Sequence, residues 1–463
     1  MVSNRILCQR TDPGLICVAE CKHALARAGN LLIERNLSFR CLNSPKMPYF
    51  NAFKSKYILK QCLIQQRLTY HSTRLLQYSA QHDALRDTVR KIIDKDINPH
   101  VNKWEEEGNI PSKQIFKIFG DAGLLGITRE SKYGGLGLDY SYSMAFFEEL
   151  ARIDCGGVPT AITVHTDMAL PALVNFGTDE LKKEFLEPSI KGDYVACVAI
   201  SEPSGGSDVA AIKTTAKKDG DDLIINGSKM WITNGCHSDW ICLLANTSDD
   251  KPHRNKSLIC VPKKAKGLTI GKKIDKMGLR CSDTALLYFD NVRVPKKNII
   301  GEAGQGFTYQ MLQFVDERVC ASVVAVHQME RLINETIEFC RQRQTFGRPL
   351  INNQVIHFRL AELKAEVELL KSLNHRIADM IIEGDSMSHD ASSAMLAAVA
   401  KLKAGRLIRE VADTCLQYFG GMGYSSDMLV ERFYRDARVM SIAGGADEIM
   451  IGIIAKFMGT LSR

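Results

Sequence analysis

Ile200-Ser201-Glu202-Pro203-Ser204-Gly205-Gly206-Ser207-Asp208 is a turn-rich stretch, and about one strand, turn and strand later comes Lys229-Met230-Trp231-Ile232-Thr233-Asn234-Gly235. In the first, two glycines between serines permit a tight turn whose backbone N–H groups can approach a ligand closely. In the second, Trp231 and Thr233 stand two residues apart, a spacing that puts both on one face of a strand. There a flat aromatic ligand could stack on the indole and hydrogen-bond to the hydroxyl. Taken singly, the first stretch is an ordinary turn more often than a binding loop, and a lone Trp is more often core than platform.

Working outward, short aliphatic and β-branched runs surround these stretches: 194–200, 223–225, 240–244, 257–261, 285–289 and 292–294. Turn signals at Asp219-Gly220-Asp221, Asn226-Gly227, Asn234-Gly235 and Lys266-Gly267 separate them. This spacing predicts a small antiparallel barrel or sandwich over residues 195–303.

The flanks have helical periodicity. Ala84, Val89, Ile92, Ile93 and Ile97 recur at helix spacing before Pro99, and residues 141–153 read as a further helix, so 79–194 is expected to be a helical domain. After Gly304-Gln305-Gly306, the stripe Leu363, Val367, Leu370, Ile377, Ile381 and an Ala-rich helix over 390–418 predict a helix bundle for 304–463. The fold class is therefore α+β and multidomain, in the order helical, β, helical. No G-x-G-x-x-G joins a strand to a helix, so a Rossmann dinucleotide site is not indicated.

The 463 residues are 45% hydrophobic and 24% charged, a composition suited to two or three domains. No run approaches the ~20 apolar residues of a membrane span. The formal charge of +7 would suggest nucleic acid if it were spread over the chain. Instead Arg35, Arg40, Lys46, Lys54, Lys56, Lys60, Arg67 and Arg74 are followed by no acid before Asp83, and the remainder is close to balanced. An acid-poor stretch with Arg, Lys and Ser reads as a mitochondrial targeting leader over residues 1–78, with Met47 as an alternative start. Of the 14 cysteines, five fall in that leader and nine are scattered singly, without C-x-x-C or His-x-x-x-His spacing, so no metal or disulfide framework is indicated.

Five blocks in order extend the opening pair: Ala199 to Asp208; Met230 to Gly235; Arg343-Gln344-Thr345-Phe346-Gly347; Leu416-Gln417-Tyr418-Phe419-Gly420-Gly421-Met422-Gly423-Tyr424; and Arg435-Asp436-Ala437-Arg438. Together they resemble the acyl-CoA dehydrogenase family from about residue 80 onward. The resemblance implies FAD as cofactor, with Val198, Ser201, Ser207, Trp231, Ile232 and Thr233 around the isoalloxazine. Ser201 stands for a common Thr and Ser204 for a common Gly. It further implies that Arg343, Phe346, Gln354, Gln417, Tyr418, Phe419, Gly420 and Gly421 contact the adenylate arm across a subunit interface, with Ala446 and Glu448 as additional cofactor contacts. A charged guanidinium fork matched to a diphosphate has a physical rationale.

The reaction requires a carboxylate to remove the proton α to the thioester carbonyl. Many relatives carry a Glu in a Glu-Gly-Thr segment near the C-terminus, and Gly444 of Ile442-Ala443-Gly444-Gly445-Ala446-Asp447-Glu448 occupies that position. In base placement the chain resembles the long-chain and isovaleryl branches, where a Glu precedes an Arg on a helix of the third domain. Asp316-Glu317-Arg318 matches that pattern, so Glu317 is the expected base, and Gly444 leaves room for its carboxylate. Without the resemblance, an Asp-Glu-Arg run is usually a solvated helix face. Asp447 and Glu448 are weaker candidates for the base, and His165 reads as a hydrogen-bonded helix residue. Ser207, Arg318 and Gly445 are the implied substrate contacts, with Arg318 near the coenzyme A phosphates.

The implied enzyme forms trans-2-enoyl-CoA in fatty acid β-oxidation or branched-chain catabolism. It would pass electrons to electron-transferring flavoprotein, work in the mitochondrial matrix, and assemble as a homotetramer, or at least a homodimer. Two other readings stay open: an acyl-CoA oxidase, and an FAD-binding scaffold with lost or residual activity.

Overall fold

The computed structural model describes Leu76, residues 78–384 and residues 391–461; the leader expected at 1–78, except Leu76 and Tyr78, lies outside the described residues. Helices run from α1 (Ala80–Ile92) through α2 (Tyr140–Leu150) to Glu187–Ile190, followed by eight strands and then the long helices α3 (Gly306–Gln342), α4 (Gln354–Glu383), α5 (Ala391–Phe419), α6 (Leu429–Ala437) and α7 (Asp447–Met458). The helical, β, helical order matches the periodicity of the sequence. Asp139 caps α2 by accepting from the Ser141 N–H at 2.8 Å. Gly306 opens α3 because any side chain there would meet the β5 backbone at 2.5 Å.

The strands are β1 (Ala196–Ala199), β2 (Thr215–Asp219), β3 (Asp222–Thr233), β4 (Trp240–Asn246), β5 (Lys256–Pro262), β6 (Leu268–Ile270), β7 (Thr284–Pro295) and β8 (Ile299–Ile300). They form one sheet in the order β6-β7-β3-β2-β4-β5-β8, with β1 beside β4. This differs from the expected antiparallel barrel or sandwich in two ways. The path is open rather than closed into a barrel, and β1 and β2 run parallel to β4. Those parallel pairings rest on β4, whose residues 240–245 are all buried. Trp240, Cys242 and Leu244 pack with Leu170, Leu173 and Phe185 of the first helical region, while Ile241, Leu243 and Ala245 pack with Ile225 and Leu287 of the sheet. A strand covered on both faces tolerates parallel neighbours, and its unbroken apolar run records that.

One expected turn and one expected break between strands are bulges. Asn226-Gly227 lies inside β3, which runs on to Thr233, and the pair expected at 285–289 and 292–294 is the single strand β7. Gly227 (φ +145°) and Asn291 (φ +51°) take the positive φ values that sequence reading assigns to turns, and Asn226 accepts from the Asn291 N–H across the ladder at 2.9 Å. A third core unites the first helices with the bundle, through Phe116, Phe119, Phe146 and Phe147 on one side and Val319, Met329, Leu363 and Val411 on the other.

Candidate active site

The two opening stretches meet in space. The Met230 N–H donates to the Ser201 carbonyl at 2.9 Å, and the Lys229 ammonium donates to the Ile200 carbonyl at 2.7 Å and to Glu202 Oε1 at 3.0 Å. Glu202 in turn accepts from the backbone N–H groups of Lys213 and Thr214 and from the Thr214 hydroxyl, and it exchanges two backbone bonds with Gly205. The loop is thus lashed to β3 at its base, while a side chain at Gly205 would find nothing within 4 Å. Burial pulls the Lys229 ammonium down to about 8 against the opposing charge of Glu202. Burial works to raise the Glu202 carboxyl, but the Lys229 charge and the Thr214 and Lys213 donors outweigh it and hold it below the ordinary value. Both residues lie within the quoted stretches, yet sequence reading assigned them no role. Their signal was a charged pair inside otherwise apolar or turn segments.

Trp231 reaches the surface by a route that alternation does not predict. It sits at φ +66° where the β3–β7 register shifts between Lys229 and Ile232, so it is a bulge residue. Its indole is 56% exposed, Ile232 is buried behind it, and Thr233 is half-buried. The indole and the hydroxyl therefore both stand on the open side of β3, but the bulge accomplishes this. Val198 and Ser201 are half-buried and Ser207 is exposed.

A second group gathers at one end of the bundle. Phe339 stacks on Phe419 with ring centroids 4.3 Å apart, and the Tyr418 hydroxyl donates to the Val355 carbonyl at 3.3 Å. These contacts bring the hairpin after α3, which carries Arg343 and Phe346, next to the start of α4 with Gln354 and to Gln417, Gly420 and Gly421. Phe346 is fully exposed at φ +51°, and side chains at Gly347, Gly420 or Gly421 would meet nothing within 4 Å. Among the described residues, no hydrogen bond, ion pair or ring contact joins this group to Ser201, Trp231 or Thr233.

Glu317 is 9% exposed on α3, and its carboxylate makes no hydrogen bond or ion pair among the described residues. A Cβ added at Gly444 would lie 3.1 Å from Glu317 Oε1, and Gly444 itself is left-handed at φ +64°. The carboxylate thus occupies the space that a side chain at 444 would take. Burial pushes the Glu317 carboxyl from 4.5 to about 7, with the charges of Arg318 and Lys401 resisting the rise. A buried carboxyl poised near neutrality can take up a proton from a bound substrate. Arg318 is buried, with its guanidinium 5.7 Å from the Phe314 ring and its Nε without a hydrogen-bond partner among the described residues. Lys401, which sequence reading missed, donates to the Gly445 carbonyl beside the same turn. Ala446 precedes α7, Glu448 is exposed, and Asp447 is buried 3.4 Å from Arg406.

His165 is fully buried, with Nδ1 accepting from the Ala196 N–H at 3.0 Å and Nε2 placed to donate to the Ser189 carbonyl at 3.1 Å. Burial drives it down to about 3, so it stays neutral and structural. Asp436 of the fifth block joins all three regions, accepting from the Gly156 N–H at 2.8 Å and the Leu279 N–H at 2.6 Å. Nearby, the sulfurs of Cys155 and Cys281 lie 3.6 Å apart beside Glu105, a proximity that single scattered cysteines do not announce.

Helices on either side of a mostly antiparallel sheet, with a buried carboxylate at the edge of a glycine turn, define a class. The family models for the acyl-CoA dehydrogenase N-terminal, middle and C-terminal domains match residues 79–193, 197–292 and 304–459, and the chain belongs to the acyl-CoA dehydrogenase family. It is thereby an acyl-CoA dehydrogenase enzyme. It is 35% identical over 381 residues to the mitochondrial long-chain specific acyl-CoA dehydrogenase of Sus scrofa, covering 82% of this chain and 86% of the relative. It is equally 35% identical over 377 residues to the mitochondrial short-chain specific enzyme of Homo sapiens, covering 81% and 89%. The crystal structure of acyl-CoA dehydrogenase from Geobacillus kaustophilus superposes with a TM-score of 0.79 at 34% identity, covering 83% of this chain and all of that one.

Proposed function

We propose that the enzyme carries out FAD-dependent α,β-dehydrogenation of an acyl-CoA thioester to the trans-2-enoyl-CoA, with Glu317 as the base. One observation carries this reading: the buried Glu317 carboxylate, without a partner among the described residues and raised toward neutrality, fills the space left by Gly444.

The residues fit a flavin. Trp231 presents an exposed indole on a bulge, and Gly205, Gly420 and Gly421 leave their backbones open to close approach. Val198, Ser201, Ser207, Trp231, Ile232 and Thr233 would hold the ring system. Arg343, Phe346, Gln354 and residues 417–421 would hold the adenylate arm, and Ala446 and Glu448 would be further cofactor contacts. When bound, FAD supplies the acceptor for the hydride that leaves the β carbon.

Glu317 takes the α proton, and burial together with expulsion of water by substrate keeps the carboxylate basic enough to do so. Arg318, whose Nε has no hydrogen-bond partner among the described residues, is suited to a coenzyme A phosphate, and Ser207 and Gly445 line the approach of the ester. Among the described residues no contact joins the two cofactor groups, which supports a cofactor shared between protomers, hence a homotetramer or at least a homodimer. Electrons pass to electron-transferring flavoprotein in the mitochondrial matrix, a setting supported by the mitochondrial relatives.

Glu317→Gln tests the base. The variant is expected to purify as folded yellow protein whose flavin is bleached anaerobically by acyl-CoA at least ~10³-fold more slowly than the parent's. Bleaching at the parental rate would remove Glu317 from the reaction.

A further inference from the structure

Lys401 lies on α5, 1% exposed, and its ammonium donates to the Gly445 carbonyl. Among the described residues it has no carboxylate in ion-pair contact. Burying an ammonium with a single carbonyl partner costs several kcal/mol, so its position calls for a reason beyond packing. The geometry around it is specific. A Cβ at Gly444 would lie 3.9 Å from Lys401 Cε and 3.1 Å from Glu317 Oε1, so the lysine stem and the carboxylate both border the glycine turn. The charged groups acting on the pair come from three helices: Glu317 and Arg318 from α3, Asp447 and Glu448 from α7, and Lys401 itself from α5, where Arg406 stands 3.4 Å from Asp447.

We propose that Lys401 is a positioning residue for Glu317, pinning the Gly444–Gly445 turn that makes room for the carboxylate and supplying a charge that favours its ionised form. This rests on Glu317 being the base. Two of the residue's properties fit together on this account. Hydrogen bonding to Gly445 holds the left-handed pair Gly444 (φ +64°) and Gly445 (φ +96°) in the conformation that leaves the space open. The ammonium also opposes the rise that burial imposes on Glu317, and Lys401 itself, pulled down to about 8 by burial with Asp447 and Glu317 resisting, remains mostly charged at neutral pH.

The test is the pH dependence of flavin reduction by acyl-CoA, followed anaerobically in the holoenzyme of the parent, Lys401→Gln, Lys401→Arg and Glu317→Gln. Gln can still donate to the Gly445 carbonyl but carries no charge. Removing a cation disfavours the ionised carboxylate, so in Lys401→Gln the limb on which the rate rises with pH is expected to move up by about one unit. The rate near pH 7 then falls about fivefold and recovers toward pH 9. Lys401→Arg keeps the charge and is expected to leave the limb in place. An unmoved limb in Lys401→Gln, with Glu317→Gln inactive, overturns the proposal and leaves the base assignment standing. Parental reduction by Glu317→Gln overturns both. If Lys401→Gln yields no folded flavoprotein, the neutral, near-isosteric Lys401→Met decides: a limb raised by about one unit supports the proposal, and an unmoved limb overturns it.

Discussion

Glu317, the proposed base, ties its proton affinity to stability. Its carboxyl lies at about 7 in the folded protein against 4.5 ordinarily, so the folded state holds the proton more tightly than the unfolded one. Its contribution therefore favours folding fully below about pH 4.5 and is lost as pH climbs through about 7. Glu317→Gln is therefore expected to be more stable than the parent at pH 8, by up to about 3 kcal/mol, with most of that difference gone by pH 5. Urea titrations at the two pH values check it, and a variant less stable at pH 8 would mean that the carboxylate is held by favourable partners. The sequence could nominate Glu317 only through family likeness, because an Asp-Glu-Arg run on a helix does not disclose whether its middle residue faces solvent. Lys401 was illegible for the same reason, since a lysine in an Ala-rich helix reads as exposed until its neighbours are known.

Strand β3 shows how local signals mislead about elements. Asn226-Gly227 carries turn chemistry, and Trp231 and Thr233 carry strand spacing, yet the first is a bulge inside a 12-residue strand and the second pair straddles a register shift. Positive φ is what asparagine and glycine supply, and a bulge uses it as readily as a turn does. Only the partner strand distinguishes the two. Gly227→Ala places a Cβ 2.6 Å from Thr214 Oγ1 and 2.8 Å from its Cα at φ +145°, where no alanine is comfortable. The expected cost is about 3 kcal/mol of stability, read as a lower urea midpoint with an unchanged slope. A parental midpoint would show that the bulge is not conformationally demanding. Trp231 lies four residues beyond, so flavin retention is expected to fall along with stability.

For the whole molecule, the order helical, β, helical was readable from periodicity, since 3.6-residue and 2-residue repeats impose different apolar patterns. The joining of the regions was not. Asp436 accepts hydrogen bonds from Gly156 and Leu279, far away in sequence, and burial raises its carboxyl to about 6 although both backbone bonds favour the charged form. The exposed aromatic Phe346, held at positive φ, also belongs to this scale, because in the proposed assembly it lies at the cofactor arm shared between protomers. Phe346→Asp is expected to lower the assembly state measured by light scattering and to weaken flavin retention at least ~10-fold. An intact assembly with full flavin would place the subunit interface elsewhere.

Local composition and spacing were enough for the class of each region, the apolar run of β4 and the five blocks that mark the family. Tertiary structure alone decided that the sheet stays open with parallel neighbours along β4, that Lys229 and Glu202 lash the Ser201–Ser207 loop to β3, and that Glu317, Gly444 and Lys401 converge from separate segments. Burial, close approach and electrostatic neighbours depend on residues far apart in the chain, and no local pattern encodes them.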